Sequence, residues 1–378
     1  MSAIQPETAD TLPKLLLAQA ARWGDRRVAI REKEFGIWQS HSWQDAARHV
    51  ERIALGLASL GFRRGDKIAV IGDNRPQLYW TMFAAQALGG APVPVYQDSI
   101  AAEMHYVIDH SESRMVICED QEQVDKILEM KDKLPAVELV LYDDPKGMRH
   151  YDYPFLLSLD RVQELGLRFA AEHEGFWEAE AGKGRASDLA VINYTSGTTG
   201  FPKGVMISHG ALISTARSFL EIEPLDERDE IMAYLPMAWI GDSFFSMAVA
   251  CLAGCTVNCP EDASTVRQDF REIGPTMTFA PPAHLGEHPL AVPGAHRGRR
   301  PSPARPHEVF PAPRHAQGQA RARRQARARQ PSRLVRDRPL ARLRAAARSA
   351  RFPAHPLRHH RRGCSRAGDD AVLSRPRR

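Results

Sequence analysis

Short apolar runs alternate with longer helical stretches through the first 280 residues of the chain. Each run has the length of one buried strand, and the intervening stretches are long enough for a helix. Strands that alternate with helices form mostly parallel sheets, whose strands are apolar throughout because helices cover both faces. The sequence therefore predicts an α/β fold with layered subdomains and largely parallel sheets. The runs lie at 67–72, 91–95, 114–118, 137–142, 189–194, 230–235 and 276–280.

Two of the helices are marked by their ends. Between residues 50 and 60 the apolar side chains recur at helical spacing, and Gly61 follows where a left-handed C-terminal cap is favoured. A second helix is predicted to begin at Pro76 and to end before the glycine pair at 89–90. Residues 145–187 are weakly patterned, so we expect surface helices and a connection there.

A segment rich in glycine and hydroxyl residues, YTSGTTGFPKGVMISHG, follows the run at 189–194. Glycines let backbone N–H groups converge on an anion, hydroxyls add donors, and Lys203 adds a mobile positive charge. A strand, this loop and a helix that begins near Ser208 are typical of a phosphate site, so the segment predicts triphosphate binding. A flexible linker is the alternative, although a linker needs neither four hydroxyls nor a Pro-Lys-Gly turn. The residues concerned are Thr195, Ser196, Gly197, Thr198, Thr199, Gly200, Lys203 and Gly204.

This segment resembles the signature loop of the AMP-forming, adenylate-forming ligases, which include acyl-CoA synthetases, luciferases and the adenylation domains of peptide synthetases. It differs from the Walker pattern, in which Gly-Lys-Ser/Thr runs straight into a helix. Other segments are similar to bacterial long-chain fatty-acid CoA ligases, and the resemblance covers residues 10–282. Those segments are GDKIAVIGDNRPQLYW, ALGGAPVPVYQDS, YLPMAWIGD, VNCPED and REIGPTMTFAPP.

The resemblance implies a two-step reaction. A fatty carboxylate attacks the α-phosphate of ATP and releases pyrophosphate, and the thiol of CoA then displaces AMP from the acyl adenylate. Lys203 and Thr195 are the implied catalytic residues, and Thr195 is also expected to approach Mg²⁺. The expected small molecules are a long-chain fatty acid, ATP, Mg²⁺ and CoA. The ATP-binding residues that the resemblance implies are Tyr194, Thr195, Ser196, Gly197, Thr198, Thr199, Gly200 and Lys203.

Two other functions stay open at this point. An adenylating ligase for another carboxylic acid shares the loop but is not expected to share the long match around residues 72–99. A non-catalytic ATP-binding or basic interaction protein is the other alternative, because closely spaced arginines near the end of the chain can neutralise nucleic-acid phosphates. We expect no specific nucleic-acid partner.

Several other residues carry a structural and a functional interpretation. Trp239 follows a predicted strand end, so it is either a substrate-lining residue or a core aromatic. His209 is expected to have a structural role at the start of a helix, since attack by an ionised carboxylate needs no base. The turn at 73–75 and the acidic pair at 261–262 are also interpreted as structural.

The last part of the chain differs sharply in charge. Residues 291–378 contain 24 arginines, no lysine and four acidic residues, a net charge of +20. Since the whole chain has a formal charge of +5, residues 1–290 have a net charge of about −15. Arginine, alanine and proline cannot form a core of normal density, so we divide the chain into an AMP-binding region at 1–282 and a disordered tail at 283–378.

The tail is consistent with translation in the wrong reading frame. Residues 283–289 can be encoded by GCC CAT CTG GGA GAA CAT CCT, and these codons read one nucleotide later would give Pro-Ile-Trp-Glu-Asn-Ile-Leu, which resembles the continuation of the family after FAPP. The same offset recovers family-like sequence at 294–300 and near the end of the chain. Because no Tyr-Gly-x-Thr-Glu segment, ribose-binding aspartate motif or C-terminal catalytic lysine is found, we expect the chain as written to be inactive.

Cysteine usage and hydropathy bear on the compartment. The chain has five cysteines, an odd number, and no apolar run of the roughly 20 residues that span a bilayer. We therefore expect a cytoplasmic location, with peripheral contact at the inner membrane face as a further expectation. The spacing of Cys251, Cys255 and Cys259 matches no paired Cys-x-x-Cys zinc pattern, so no thiolate metal site is predicted.

Overall fold

A computed structural model of the chain describes residue 6 and residues 8–195 and 201–279. The strands are β1 (Val28–Glu34), β2 (Ile37–Ser42), β3 (Lys67–Ile71), β4 (Ala91–Val95), β5 (Met115–Cys118), β6 (Leu139–Tyr142), β7 (Leu156–Ser158), β8 (Leu189–Thr195), β9 (Lys203–Ser208), β10 (Glu230–Met232) and β11 (Thr256–Cys259). The helices are α1 (Leu12–Trp23), α2 (Trp43–Ser59), α3 (Pro76–Ala87), α4 (Ala101–His110), α5 (Gln121–Met130), α6 (Leu159–Glu172), α7 (Phe176–Lys183), α8 (His209–Ile222), α9 (Ile240–Asp242), α10 (Ala250–Ala253) and α11 (Val266–Ile273). A π-helical segment, Ser243–Val249, connects α9 to α10.

The largest sheet has five parallel strands in the order β4-β3-β5-β6-β7. Helices cover both of its faces. On β3, Ile68 and Val70 share a buried cluster with residues of α2 and α3, whereas Ala69 and Ile71 share another with residues of α4 and α5. This burial on two faces explains why the strands are apolar at every position.

A second sheet has the order β10-β11-β1-β2. Strands β10, β11 and β1 are parallel, and β2 pairs with β1 in antiparallel orientation. The β1–β2 turn has positive φ angles at Phe35 (49°) and Gly36 (75°), as a two-residue type I′ hairpin requires. The apolar runs did not predict this hairpin, because its second strand is mostly exposed or half-buried.

Helices α2 and α6 pack closely against each other through two glycines. A Cβ atom on Gly56 would lie 2.1 Å from the carbonyl oxygen of Val162, and one on Gly166 would lie 2.0 Å from that of Arg52. Real Cβ atoms do not approach other atoms so closely, so the backbones of the two helices can touch only where the side chain is a hydrogen.

The α/β prediction is confirmed, and most predicted boundaries are close. Helix α2 is followed by Gly61 with φ of 89°, and α3 begins at Pro76. The run at 276–280 forms only an isolated bridge from Met277 to Ile231 within the described residues. Residues 145–187 do hold helices, but they also form β7 of the parallel sheet.

The tail predicted at 283–378 lies outside the described residues, so its disorder and the boundary at 282 stay predictions. Within the described ranges, no helix is both long enough and apolar enough to cross a bilayer.

Candidate active site

The glycine-rich loop connects two antiparallel strands. Strand β8 pairs with β9 from Leu189 opposite Ser208 to Thr195 opposite Lys203, and α8 begins only after β9. The expected strand-loop-helix order is therefore wrong, because the segment KGVMIS forms a strand before the helix. Consequently the start of α8 lies a whole strand away from the loop, and its helix dipole is not placed at the predicted phosphate position.

Thr195 and Lys203 lie directly opposite each other at the loop end of this hairpin. Both are exposed, and the Lys203 ammonium has no hydrogen-bond or ion-pair partner among the described residues. A hydroxyl and an unpaired ammonium at the two ends of a short loop fit a polyphosphate and its Mg²⁺ ion. Five of the predicted contact residues lie outside the described part of the chain: Ser196, Gly197, Thr198, Thr199 and Gly200.

Tyr194 differs from its neighbour Thr195 because its side chain is buried. Its hydroxyl lies 2.8 Å from Nδ1 of His110 on α4. Burial raises the pKa of Tyr194 to about 12, so the phenol keeps its proton and can donate it in this hydrogen bond. The hydroxyl of Tyr194 thus faces the protein, while Thr195 and Lys203 face solvent.

A cavity of about 490 Å³ opens at the carboxyl ends of four strands, two from each parallel set. The loops after β3, β4, β10 and β11 line it. Ligands of open α/β sheets commonly bind at this edge, so the cavity is a candidate substrate site. Its lining includes Asn74, Gln97, Leu235, Trp239, Asp262 and Arg267.

Trp239 lies in the wall of this cavity and is half-buried. Of the two interpretations open for this residue, the geometry fits a cavity-lining aromatic. The residue before Trp239 contacts the hairpin, because the buried Nδ2 of Asn193 on β8 donates a hydrogen bond of 2.9 Å to the carbonyl of Ala238. Asn193 is two residues before Thr195, so this contact places the cavity wall beside the base of the loop.

Arg75 joins the carboxyl ends of strands from the two sheets. Its guanidinium donates to Oε1 of Glu119 at 2.8 Å, to the carbonyl of Pro260 at 2.7 Å and to that of Glu261 at 2.6 Å. Glu119 follows β5 and Pro260 follows β11, so one side chain fixes the spacing between the sheets. Arg75 therefore has the structural role that was predicted for the turn at 73–75, whereas Asp73 and Asn74 of the same turn line the cavity.

Asp242 forms a buried polar group that the sequence analysis missed. Its Oδ1 accepts hydrogen bonds from the hydroxyls of Tyr79 (2.7 Å) and Ser246 (3.0 Å) and from Nδ2 of Asn74 (3.0 Å). Its Oδ2 is buried with no partner in the described part of the molecule, and burial raises the carboxyl pKa to about 7. One acidic residue in the apolar stretch WIGDSFFSMAVA is the signal that could have found it.

Asn74 connects this buried group to the cavity. The same Nδ2 atom also donates to the carbonyl of Leu235 at 3.1 Å, and both residues line the cavity. The Asp242 group therefore supports the turn that leads to Trp239.

His209 is buried at the first position of α8, and its Nδ1 accepts a hydrogen bond of 3.2 Å from the backbone N–H of Leu12. Burial lowers its pKa to about 4, so the ring is neutral at pH 7 and can accept. This contact is structural, as the sequence predicts.

The thiols of Cys251, Cys255 and Cys259 are buried, and burial raises the pKa of each. Within the described ranges, no group of three or more His, Cys, Asp or Glu side chains is arranged to hold a metal ion.

The sequence profile of the AMP-binding enzyme family matches residues 16–326, and the chain therefore belongs to this family. The matched range extends past residue 282, where the composition changes. The resemblance to adenylate-forming enzymes is confirmed.

Curated relatives of the chain are long-chain-fatty-acid–CoA ligases. The chain is 27% identical over 283 residues to the ligase heimdall of Drosophila melanogaster, covering 72% of this chain and 41% of that protein. It is 28% identical over 249 residues to FadD15 of Mycobacterium bovis, covering 65% of this chain and 40% of that protein. The chain thus spans about two fifths of the length of these relatives.

Solved structures share the fold at low identity. A long-chain-fatty-acid-CoA ligase from Archaeoglobus fulgidus aligns with a TM-score of 0.58 and 20% identity, covering 70% of this chain and 50% of its own. The luciferase-like enzyme of the mealworm Zophobas morio aligns with a TM-score of 0.61 and 16% identity, covering 75% and 62%. These likenesses establish the layered α/β fold of adenylate-forming enzymes.

Proposed function

We propose that the described residues form the phosphate-binding and acyl-binding side of an AMP-forming ligase that joins long-chain fatty acids to CoA. The observation that carries the proposal is the exposed Thr195–Lys203 pair at the end of a hairpin that is tied to a strand-end cavity. The substrate class is supported by the names of the relatives, which are long-chain-fatty-acid–CoA ligases.

In this proposal the protein positions its substrates and stabilises charge. The Lys203 ammonium and the Thr195 hydroxyl hold the β- and γ-phosphates, and a bound magnesium ion supplies further neutralisation of their negative charge. The fatty carboxylate is already ionised at pH 7, so it attacks the α-phosphate without a protein base. Consequently neither His209, which is neutral and engaged with Leu12, nor Asp242 is required for proton transfer.

The cavity beside the hairpin is proposed to accept the acyl chain. Its lining combines the apolar side chains of Trp239, Leu235 and Met237 with polar side chains such as Gln97 and Arg267, the mixture that a fatty acid with one charged end requires. A cytoplasmic location with peripheral membrane contact belongs to the same proposal, because long-chain fatty acids partition into lipid surfaces.

The phosphate part of the proposal is tested by Mg·ATP binding to the whole chain, measured by isothermal titration calorimetry. Lys203→Ala and Thr195→Ala should each raise the dissociation constant about tenfold, since each removes one contact to charged phosphate. Lys146→Ala, which removes an exposed lysine outside the hairpin, is the matched control and should bind Mg·ATP like the parent. Equal affinities for all four proteins would overturn the assignment of the loop.

The acyl part is tested by tryptophan fluorescence. A 16-carbon fatty acid should change the emission of the parent protein, and Trp239→Phe should abolish that change. Benzoate and free amino acids serve as competitors, because the fold also occurs in an anthranilate CoA ligase at 18% identity. An emission change caused by benzoate but not by the fatty acid would favour another carboxylic acid as substrate.

A further inference from the structure

Three aromatic side chains hold the two arms of the glycine-rich loop against helix α4. Tyr106 and His110 lie one helical turn apart on α4, and Tyr194 ends the incoming arm on β8. Their rings form edge contacts, with centroids 6.4 Å apart for Tyr106 and Tyr194 and 5.7 Å apart for His110 and Tyr194. We call Tyr106, His110 and Tyr194 the α4 clamp.

The outgoing arm of the loop contacts the same helix. The hydroxyl of Tyr106 donates a hydrogen bond of 3.1 Å to the carbonyl of Pro202, the residue before Lys203. The ring of Tyr106 also stacks on Phe201, with centroids 4.9 Å apart. Phe201 is otherwise 74% exposed, so this stacking is a principal contact of its ring. One helix thus contacts the residues on either side of Thr195 and Lys203.

The two hydrogen bonds of the clamp end next to the two functional residues. His110 binds Tyr194, which precedes Thr195, and Tyr106 binds Pro202, which precedes Lys203. Thr195 is the last residue of β8 and Lys203 is the first residue of β9, so both lie at strand ends. Strand ends fray unless other contacts hold them, and the clamp supplies such contacts.

We propose that Tyr106 and His110 are positioning residues for phosphate binding: they fix the spacing of the Thr195 hydroxyl and the Lys203 ammonium without touching the nucleotide. This inference rests on the proposed function of the hairpin. Pre-organised groups bind an anion more tightly because the ordering entropy has already been lost before binding. His110 lies 84 positions before Tyr194 and Tyr106 lies 96 positions before Pro202, so the loop motif alone does not include them.

The test uses Mg·ATP titrations of the whole chain. Tyr106→Phe keeps the ring stack but removes the hydrogen bond to Pro202, and His110→Ala removes the bond to Tyr194. Each should raise the dissociation constant about fivefold, the effect of losing one net hydrogen bond. His110→Asn should restore binding, because Oδ1 of asparagine occupies nearly the position of Nδ1 and accepts from the Tyr194 hydroxyl.

A matched control separates positioning from general stability. Tyr151→Phe removes the hydroxyl that bonds Gln121 and Asp125, away from the hairpin, and should leave affinity unchanged. Thermal unfolding of every variant is measured in parallel. If His110 contributes only to stability, His110→Asn should not bind Mg·ATP more tightly than His110→Ala when the two variants have equal melting temperatures. Tyr106→Phe, which deletes a single oxygen atom, keeps the test valid if His110→Ala does not fold.

The outcomes distinguish this inference from the function on which it rests. Mg·ATP binding by the parent that is weakened by both α4 substitutions, but not by Tyr151→Phe, supports the clamp. Normal affinity in Tyr106→Phe and His110→Ala, with Lys203→Ala still impaired, overturns the clamp and leaves the proposed function standing. Absence of binding by the parent overturns the proposed function, and the clamp with it.

Discussion

The hydroxyl of Tyr79 donates a hydrogen bond of 2.7 Å to Oδ1 of Asp242, although the two residues are 163 positions apart in the sequence. The contact joins α3 to the last residue of α9, just before the π-helical segment, inside the core. An acidic group at such a position must be either paired or protonated, since burying an isolated carboxylate is costly. Burial raises the pKa of Asp242 to about 7, so we expect the protonated form over much of the acidic range.

Asp242 should therefore make stability fall as pH rises. Its pKa is 3.8 in the unfolded chain and about 7 in the folded one, so between these values only the folded state holds the proton. The free energy of unfolding should decrease by up to about 1.4 kcal/mol per pH unit in this window relative to Asp242→Asn. Urea unfolding of both proteins from pH 4 to 8 measures the difference.

Asp143 should also make stability fall as pH rises, because burial raises its pKa to about 8. For that reason the prediction concerns the difference between the parent and Asp242→Asn rather than the parent alone. Asp132→Asn, at an exposed position, is the control and should follow the parent at every pH. Parallel curves for the parent and Asp242→Asn would show that the carboxyl does not titrate differently on folding.

His209 should have the opposite effect on the pH dependence of stability. Its pKa falls from 6.5 to about 4 on folding, so the unfolded chain binds a proton that the folded chain excludes, and stability should decrease as pH falls from 6.5 toward 4. His209→Asn keeps an acceptor for the Leu12 N–H but cannot titrate, so its urea midpoint should change less over this range. His150→Asn, an exposed substitution, is the control, and equal slopes for all three proteins would contradict the prediction.

The contact between α2 and α6 should be intolerant of any side chain larger than hydrogen. Gly56→Ala and Gly166→Ala each force a methyl group to about 2 Å from a carbonyl oxygen, and each should destabilise the protein by about 1–3 kcal/mol despite better helix propensity. Gly184→Ala, whose new Cβ would lie 3.3 Å from the nearest atom, is the matched control. Chemical denaturation curves give the values, and near-neutral results at 56 and 166 would mean that the helices separate easily.

Arg75 should not be replaceable by lysine. A lysine ammonium cannot reach Glu119 and the carbonyls of Pro260 and Glu261 in one planar arrangement, so Arg75→Lys should cost about 2–3 kcal/mol. Arg161→Lys, in a surface pair with Glu164, should cost less than about 0.5 kcal/mol. Denaturant unfolding compares the two, and a similar small loss in both would show that the bridge between the sheets contributes little.

The tail at 283–378 leads to a prediction about the gene. If these residues are read out of frame, resequencing around codons 281–284 should reveal a one-nucleotide difference, and the corrected chain should contain Ile-Trp-Glu-Asn after FAPP. The chain as written should then form no acyl-CoA with fatty acid, ATP, Mg²⁺ and CoA, and the corrected one should. Turnover by the 378-residue chain itself would contradict this hypothesis.

Much of the fold was predictable from local pattern. Runs such as 67–71 and 91–95 are apolar at nearly every position because they are buried on both faces, and Gly61 and Pro76 mark helix ends through their own backbone restrictions. The glycine-rich loop was recognisable from its unusual composition, and its role in phosphate binding stays a prediction. These features depend on residues that are neighbours in the chain.

The sequence alone therefore determined the α/β class, the family and the identity of Thr195 and Lys203 as candidate phosphate contacts. Only the tertiary structure decided that β9 follows the loop, that α4 supports both its arms and that Asp242 is surrounded by Tyr79, Asn74 and Ser246. Each of those contacts joins segments far apart in the chain, and their energies depend on burial and distance, which are properties of the packed fold and not of any short stretch of residues.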